Sequence, residues 1–247
     1  MMRFNPNHRL ILSVDTATNT NTVALCQAGA LLAEISINQG RRHAERLLAL
    51  IDSLLLEASL RLESVDAFAV SAGPGSFTGL RIGVATLKGL ALALEKPLLA
   101  VPTLHAMAYA LPPLTGLVCP ILDARMGEVY GAAFRRSEDG ISCVRPPVVT
   151  SIEDFLASVL ALSPAEPLLL LGDALAPYGE RARLTAPHAV LAPPLYHGPR
   201  AAAVGLLAEA MLDQGCAANA ALAAPVYLRK SQAEQLRDMA PARAAAP

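Results

Sequence analysis

Leu117-Val118-Cys119-Pro120-Ile121-Leu122-Asp123 is an apolar run closed by an acid, and Glu128-Val129-Tyr130-Gly131-Ala132-Ala133-Phe134 follows it after a short polar turn. Short runs of this kind, bounded by turn formers, read as buried strands. The same succession opens the chain: Leu10-Ile11-Leu12-Ser13-Val14 ends at Asp15, and Thr22–Cys26 and Leu31–Ile37 follow as two further strands around a turn containing Gly29. Asp15 and Asp123 therefore hold equivalent places. The repeat predicts two related α/β lobes, with a boundary near Val101 to Pro113, where proline density rises. The expected division is a first lobe over residues 1–104, a second over 105–231 and a disordered tail over 232–247.

Between the repeats the period changes. From Arg42 to Leu60, the residues Leu47, Leu48, Ile51, Leu54, Leu55 and Ala58 recur at three- and four-residue steps, which predicts an amphipathic helix. Val65 to Ser71 reads as a strand. After Gly73-Pro74-Gly75, the Ala-rich stretch Leu80 to Leu94 predicts a second helix, ended by Lys96-Pro97. In the second half Ile152–Ala161 and Arg200–Gln214 read as helices, the latter closed by Gly215, and Leu168–Leu171 as a short strand.

Composition narrows the function classes. Of the 247 residues 53% are hydrophobic, yet no unbroken apolar run reaches the roughly 18 residues of a membrane span, so a soluble protein is expected. The start, Met1 to Arg9, is polar and lacks the apolar core of a secretory signal, which predicts a cytoplasmic location. Twenty Lys and Arg balance 21 Asp and Glu, and no basic run or aromatic-basic stripe is present. That argues against tight independent binding to a nucleic acid, which needs several phosphates neutralised. Cys26, Cys119, Cys143 and Cys216 are far apart and form no C-x-x-C pair, against a zinc site or a disulfide framework.

Two stretches could carry chemistry. Asp15-Thr16-Ala17-Thr18 puts a carboxylate and two hydroxyls at a strand-turn-strand corner, where they hold a nucleotide-bound metal, line a phosphate, or cap the turn's own backbone. In Ser71-Ala72-Gly73-Pro74-Gly75-Ser76-Phe77-Thr78-Gly79-Leu80-Arg81-Ile82-Gly83 the glycines permit close backbone approach. Ser76 or Thr78 can cap the next helix, and exposed amides there could bind an anion. Neither a Walker loop nor G-x-G-x-x-G is present. Asp15, Thr16, Gly73, Gly75 and Ser76 are thus the nucleotide or anion candidates. They leave open an active small-molecule kinase or ATPase as the alternative function. Asp123, Arg125, Glu128 and Tyr130 form a dense polar set at the second turn, in which Arg125 and Glu128 either pair with each other or meet a ligand or partner. A peptidase reading fails for want of a G-x-S-x-G elbow.

Residues Ser71 to Ala91, SAGPGSFTGLRIGVATLKGLA, closely resemble the signature of the TsaB (YeaZ) family. ILSVDTAT (Ile11–Thr18), RRHAERLLALID (Arg41–Asp52), ILDARMGEVY (Ile121–Tyr130) and APVYLRK (Ala224–Lys230) add to the likeness in family order along nearly the whole chain. The resemblance implies a duplicated actin-like ATPase fold of the sugar kinase and actin superfamily. It also implies a non-catalytic subunit that pairs with TsaD and, through the complex, with the ATPase TsaE. Together they transfer threonylcarbamoyl to the adenosine beside the anticodon of tRNAs reading ANN codons. On this reading the chain has no catalytic residues, binds no cofactor alone, meets tRNA only indirectly and self-associates when TsaD is absent; ATP is used by the complex. A TsaD-like subunit holds its metal through two histidines one helical turn apart. Here His105 is followed by Tyr109, no other histidine pair has that spacing, and no metal is expected.

The two predicted helices carry more apolar surface than one sheet contact needs. In the second, Leu80, Val84, Leu87 and Ala91 make one stripe and Ile82, Ala85, Gly89 and Leu92 another. Gly83 and Gly89 each cost about 1 kcal/mol relative to Ala, which a close helix approach would explain. Periodicity alone fits a helix central to its own domain equally well. The resemblance implies pairing through these helices, with Leu47, Ile51, Leu54, Leu80, Val84, Leu87 and Ala91 in a four-helix contact.

Overall fold

Strands β1 (Leu10–Asp15), β2 (Thr20–Gln27) and β3 (Ala30–Asn38) form an antiparallel meander. Helix α1 (His43–Glu57), strand β4 (Ala67–Gly73), helix α2 (Phe77–Ala93) and strand β5 (Leu98–Pro102) complete a sheet of order β3-β2-β1-β4-β5, with β4 parallel to β1 and β5. After helix α3 (Thr103–Tyr109), the pattern returns as β6 (Leu117–Arg125), β7 (Glu128–Ser137), β8 (Gly140–Ser151), α4 (Ile152–Leu162), β9 (Leu168–Leu171), α5 (Leu175–Thr185) and β10 (Val190–Leu191). The second sheet, β10-β9-β6-β7-β8, has the same order read from β6 as the first has from β1. This is the duplicated actin-like fold. The computed structural model describes residues 8–38, 43–138, 140–216 and 219–229, so the expected disordered tail lies outside the described residues.

Every residue of β1 is buried, as expected of a central strand covered on both faces. On one face Leu12 and Val14 meet Leu47, Ile51 and Leu54 of α1 and Val84 and Leu87 of α2. On the other, Ile11, Ala67 and Ala69 meet Ala203, Val204 and Leu207 of helix α6 (Ala201–Asp213). The last helix thus returns to the first sheet. Gly205 permits the approach: a β-carbon there would lie 2.7 Å from both Cys26 Sγ and Ser13 Oγ. Helix α3 meanwhile covers the second sheet, with Leu104 and Met107 against Val118 and Phe134, while Phe155 and Ala182 of α4 and α5 pack on its other face.

Helix α2 starts three residues before the predicted Leu80, because the Ser76 hydroxyl accepts from Gly79 N (3.2 Å) and caps it there. Strands β5, β8 and β10 and helices α3 and α5 have no expectation behind them. Pro146 and Pro147 obscure β8, which tolerates them as an edge strand, and Pro177 sits in the first turn of α5, where no amide hydrogen is needed. Among the described residues, no helix is long and apolar enough to cross a membrane.

Candidate functional site

The β1–β2 turn and the loop before α2 meet and interlock. Asp15 is fully buried; Ala17 N donates to its Oδ1 at 2.8 Å and the Ser71 hydroxyl donates to its Oδ2. Burial pushes its carboxyl up to about 6, with the bonds from Ser71 and Ala17 pulling the other way. Thr16, also fully buried, donates through Oγ1 to Gly79 O (2.7 Å), and Ser76 N donates to Ala17 O (2.7 Å). A β-carbon on Gly79 would stand 1.9 Å from Thr16 O, and one on Gly75 2.6 Å from Ala17 O. The structure therefore brings Asp15, Thr16, Gly73, Gly75 and Ser76 together, but they grip one another. The Gly73 amide donates to Thr103 Oγ1 (3.1 Å), so three amides of the loop, those of Gly73, Ser76 and Gly79, have partners within the chain.

Gly73 is explained by residues far away in the sequence. At φ +123 it occupies backbone space that L side chains rarely enter, and a β-carbon there would fall 2.4 Å from Val226 O. Val226 belongs to residues 219–229, which run along α2 and onto the loop. The Lys88 ammonium donates to the carbonyls of Ala221 (2.7 Å) and Ala223 (3.3 Å), and Val226 N donates to Ala72 O (2.6 Å). Tyr227 stacks on Phe77 with ring centroids 4.5 Å apart, and Arg81 lies 3.9 Å over the Phe77 ring while its Nε donates to the Tyr227 hydroxyl (3.1 Å). The segment APVYLRK was legible only as part of the family likeness.

The second turn repeats the local geometry of the first. Arg125 N donates to Asp123 Oδ1 at 2.8 Å, as Ala17 N does to Asp15. Arg125 does not pair with Glu128. With left-handed backbone (φ 65) it folds back onto Asp123 at 3.0 Å, and Glu128 pairs instead with Arg229 at 2.7 Å. Asp173, following β9, accepts from Asp123 N (2.9 Å), and burial pushes its carboxyl up to about 6. Burial likewise raises the half-buried Tyr130 phenol.

His105 stacks on Phe134 at 5.3 Å; its Nε2 is buried without a hydrogen-bond partner, and burial lowers its pKa. Tyr109, four residues on, lies under the Arg136 guanidinium at 4.8 Å. Among the described residues no three His, Cys, Asp or Glu side chains gather where they could hold a metal ion.

The seven residues expected at a partner contact lie elsewhere. Leu47, Ile51, Leu54, Leu80, Val84, Leu87 and Ala91 are all buried, none more than 4% exposed, and all except Leu80 share one core with β1 and β4. The amphipathic stripe reads correctly as apolar, but the sheet takes it. Gly83 faces Thr16 Oγ1 within the chain, 2.4 Å from the position of a β-carbon, and not a foreign helix. Of the other stripe, Ile82 packs partly buried against the same core and the remaining three residues face outward. Ala85, Gly89 and Leu92 (53%) on α2 and Leu48 (52%), Ala49 and Leu56 (77%) on α1 are exposed, and a β-carbon on Gly89 would meet nothing within 4 Å.

Comparison with known proteins adds to this geometry. The family model described as "TsaD: tRNA N6-adenosine threonylcarbamoyltransferase" matches residues 30–236. The tRNA threonylcarbamoyladenosine biosynthesis protein TsaB of Escherichia coli K12 is 41% identical over 133 residues, which are 53% of this chain and 57% of that protein. The chain thus spans little more than half the length of that relative. TsaB of Bacillus subtilis 168 is 32% identical over 162 residues, 66% of this chain and 70% of the relative. The solved structure of YeaZ from Pseudomonas aeruginosa superposes with a TM-score of 0.78 at 32% identity, covering 89% of this chain and 100% of that one.

Proposed function

Because the chain belongs to the TsaB (YeaZ) family, we propose that it serves tRNA threonylcarbamoyladenosine biosynthesis as a non-catalytic subunit that docks on TsaD. In that role it supports transfer of threonylcarbamoyl to the adenosine beside the anticodon of tRNAs reading ANN codons. The observation that carries the reading is the outward apolar stripe of α1 and α2. Leu48, Leu56, Ala85, Gly89 and Leu92 stand free on two helices whose opposite faces already fill the core. Exposed apolar side chains on two packed helices, with small residues at Ala85 and Gly89, suit a second pair of helices.

Two further observations support a subunit without catalytic residues of its own. Asp15, the acid best placed for nucleotide chemistry, is fully buried with both oxygens accepting bonds from the chain. The glycine loop that would approach a phosphate is occupied by Ala17 on one side and Val226 on the other. On this reading ATP belongs to the complex, TsaE joins through the complex, and the same stripe pairs two copies when TsaD is absent. A near-neutral charge of −1 fits indirect contact with tRNA, and the setting is the cytoplasm. The test is reconstitution of the modification with TsaD, TsaE, the enzyme supplying threonylcarbamoyl-adenylate, and tRNA, with and without this chain. The proposal expects modified adenosine only when the chain is present; equal product in its absence would overturn it.

A further inference from the structure

Residues 219–229 touch both lobes. On the first they are bound along α2, from Lys88 holding Ala221 and Ala223 to Tyr227 stacked on Phe77, and they enter the Gly73 loop through the Val226–Ala72 bond. At their end they cross to the second lobe, where Arg229 pairs with Glu128 at 2.7 Å and donates to Met126 Sδ at 2.9 Å. Met126 lies in the β6–β7 turn and Glu128 opens β7, beside the end of β6 that carries Asp123. The crossing therefore lies where β1 and β6 end in their equivalent acids. The lobes meet elsewhere through α3 and α6, which pack on each other and on the opposite sheets.

We infer that residues 219–229 are a clasp: they tie the start of α2 to the β6–β7 turn and limit opening of the two lobes about the α3 and α6 contact. Three features favour a tie over a tail lying where it finds room. Gly73 leaves room for Val226 O that any side chain would fill. The anchors alternate in kind, with main-chain bonds at Ala72, ring stacking at Phe77 and an ion pair at Glu128, so the segment is fixed in register as well as in place. Finally, Arg229 is only 20% exposed at its side chain, so its pairing is not that of a freely solvated surface charge.

The experiment measures the lobe separation in the full chain. Spin labels are placed at Glu63→Cys in the first lobe and Arg183→Cys in the second, both exposed, in a Cys143→Ser, Cys216→Ser background, and electron double resonance reads the distance distribution. The clasp predicts one narrow distribution that broadens toward longer distances in Arg229→Glu and in Tyr227→Ala, and narrows again when Arg229→Glu is combined with Glu128→Arg. Circular dichroism establishes that each variant is folded. An unchanged distribution in the folded Arg229→Glu and Tyr227→Ala proteins overturns the inference, as does a charge exchange that fails to restore the narrow one.

Discussion

The carbonyl oxygen of Val226 lies 2.4 Å from the place a β-carbon on Gly73 would take, and Gly73 has φ +123. Gly73→Ala therefore meets a backbone atom and a strained conformation at once. We expect a loss of about 2–4 kcal/mol in urea unfolding, from backbone strain of roughly 1–3 kcal/mol plus displacement of the segment. Faster amide exchange at Val226 should accompany it. Wild-type stability and exchange in the alanine variant would show that the segment does not seat there.

Asp15 makes a prediction in pH. Burial raises its carboxyl from the ordinary 3.8 to about 6, so the folded state holds this proton more tightly than the unfolded one. Its contribution to stability is present below about pH 4 and is lost as pH rises through 6, where both states are ionised. The buried charge then costs on the order of 3 kcal/mol. Asp15→Asn keeps an acceptor for Ala17 N without the charge. It should be more stable than wild type at pH 7.5, and the difference should shrink or vanish at pH 4.5. Asp173, raised for the same reason, leaves some of the dependence in the variant. Denaturation at the two pH values measures this, and a difference that grows on acidification contradicts it.

Leu54 tests which stripe is core. At 1% exposure, within the cluster around β1, Leu54→Ala should cost about 2–5 kcal/mol in urea unfolding. Leu56→Ala, on the same helix at 77% exposure, should change stability by less than about 0.5 kcal/mol.

Nucleotide binding separates the subunit reading from a kinase or ATPase. Titrating the isolated chain with magnesium and ATP in a calorimeter should give no micromolar binding, because the Asp15 carboxylate and the Gly73, Ser76 and Gly79 amides already have partners within the chain. Micromolar binding would favour the enzyme.

Much of this was legible in the sequence. The apolar runs before Asp15 and Asp123 disclosed the repeat, and the structure gives both acids the same bond to the amide two residues on. The cap of α2 was readable as Ser76 or Thr78 because such a bond is local, and the structure selects Ser76; Gly215 after α6 was readable too. Sequence periodicity separated the two stripes of α2 but not their destinations, since both stripes are made of apolar residues and the sheet that buries Val84 is remote in sequence. The glycines after Ser71 read as a phosphate approach for the same reason. What they admit is Thr16, Ala17 and Val226, contacts made only when the chain has folded. Glu128 carried no hint of Arg229, its partner across the molecule.

The outward stripe can be tested most directly at Gly89, where a side chain meets nothing in the monomer. Gly89→Arg should fold and melt as wild type does, or slightly higher, because arginine is the better helix former. Co-expressed with tagged TsaD, the wild-type chain should co-purify and Gly89→Arg should be lost by at least tenfold. Undiminished co-purification of a folded Gly89→Arg protein would contradict docking through this face.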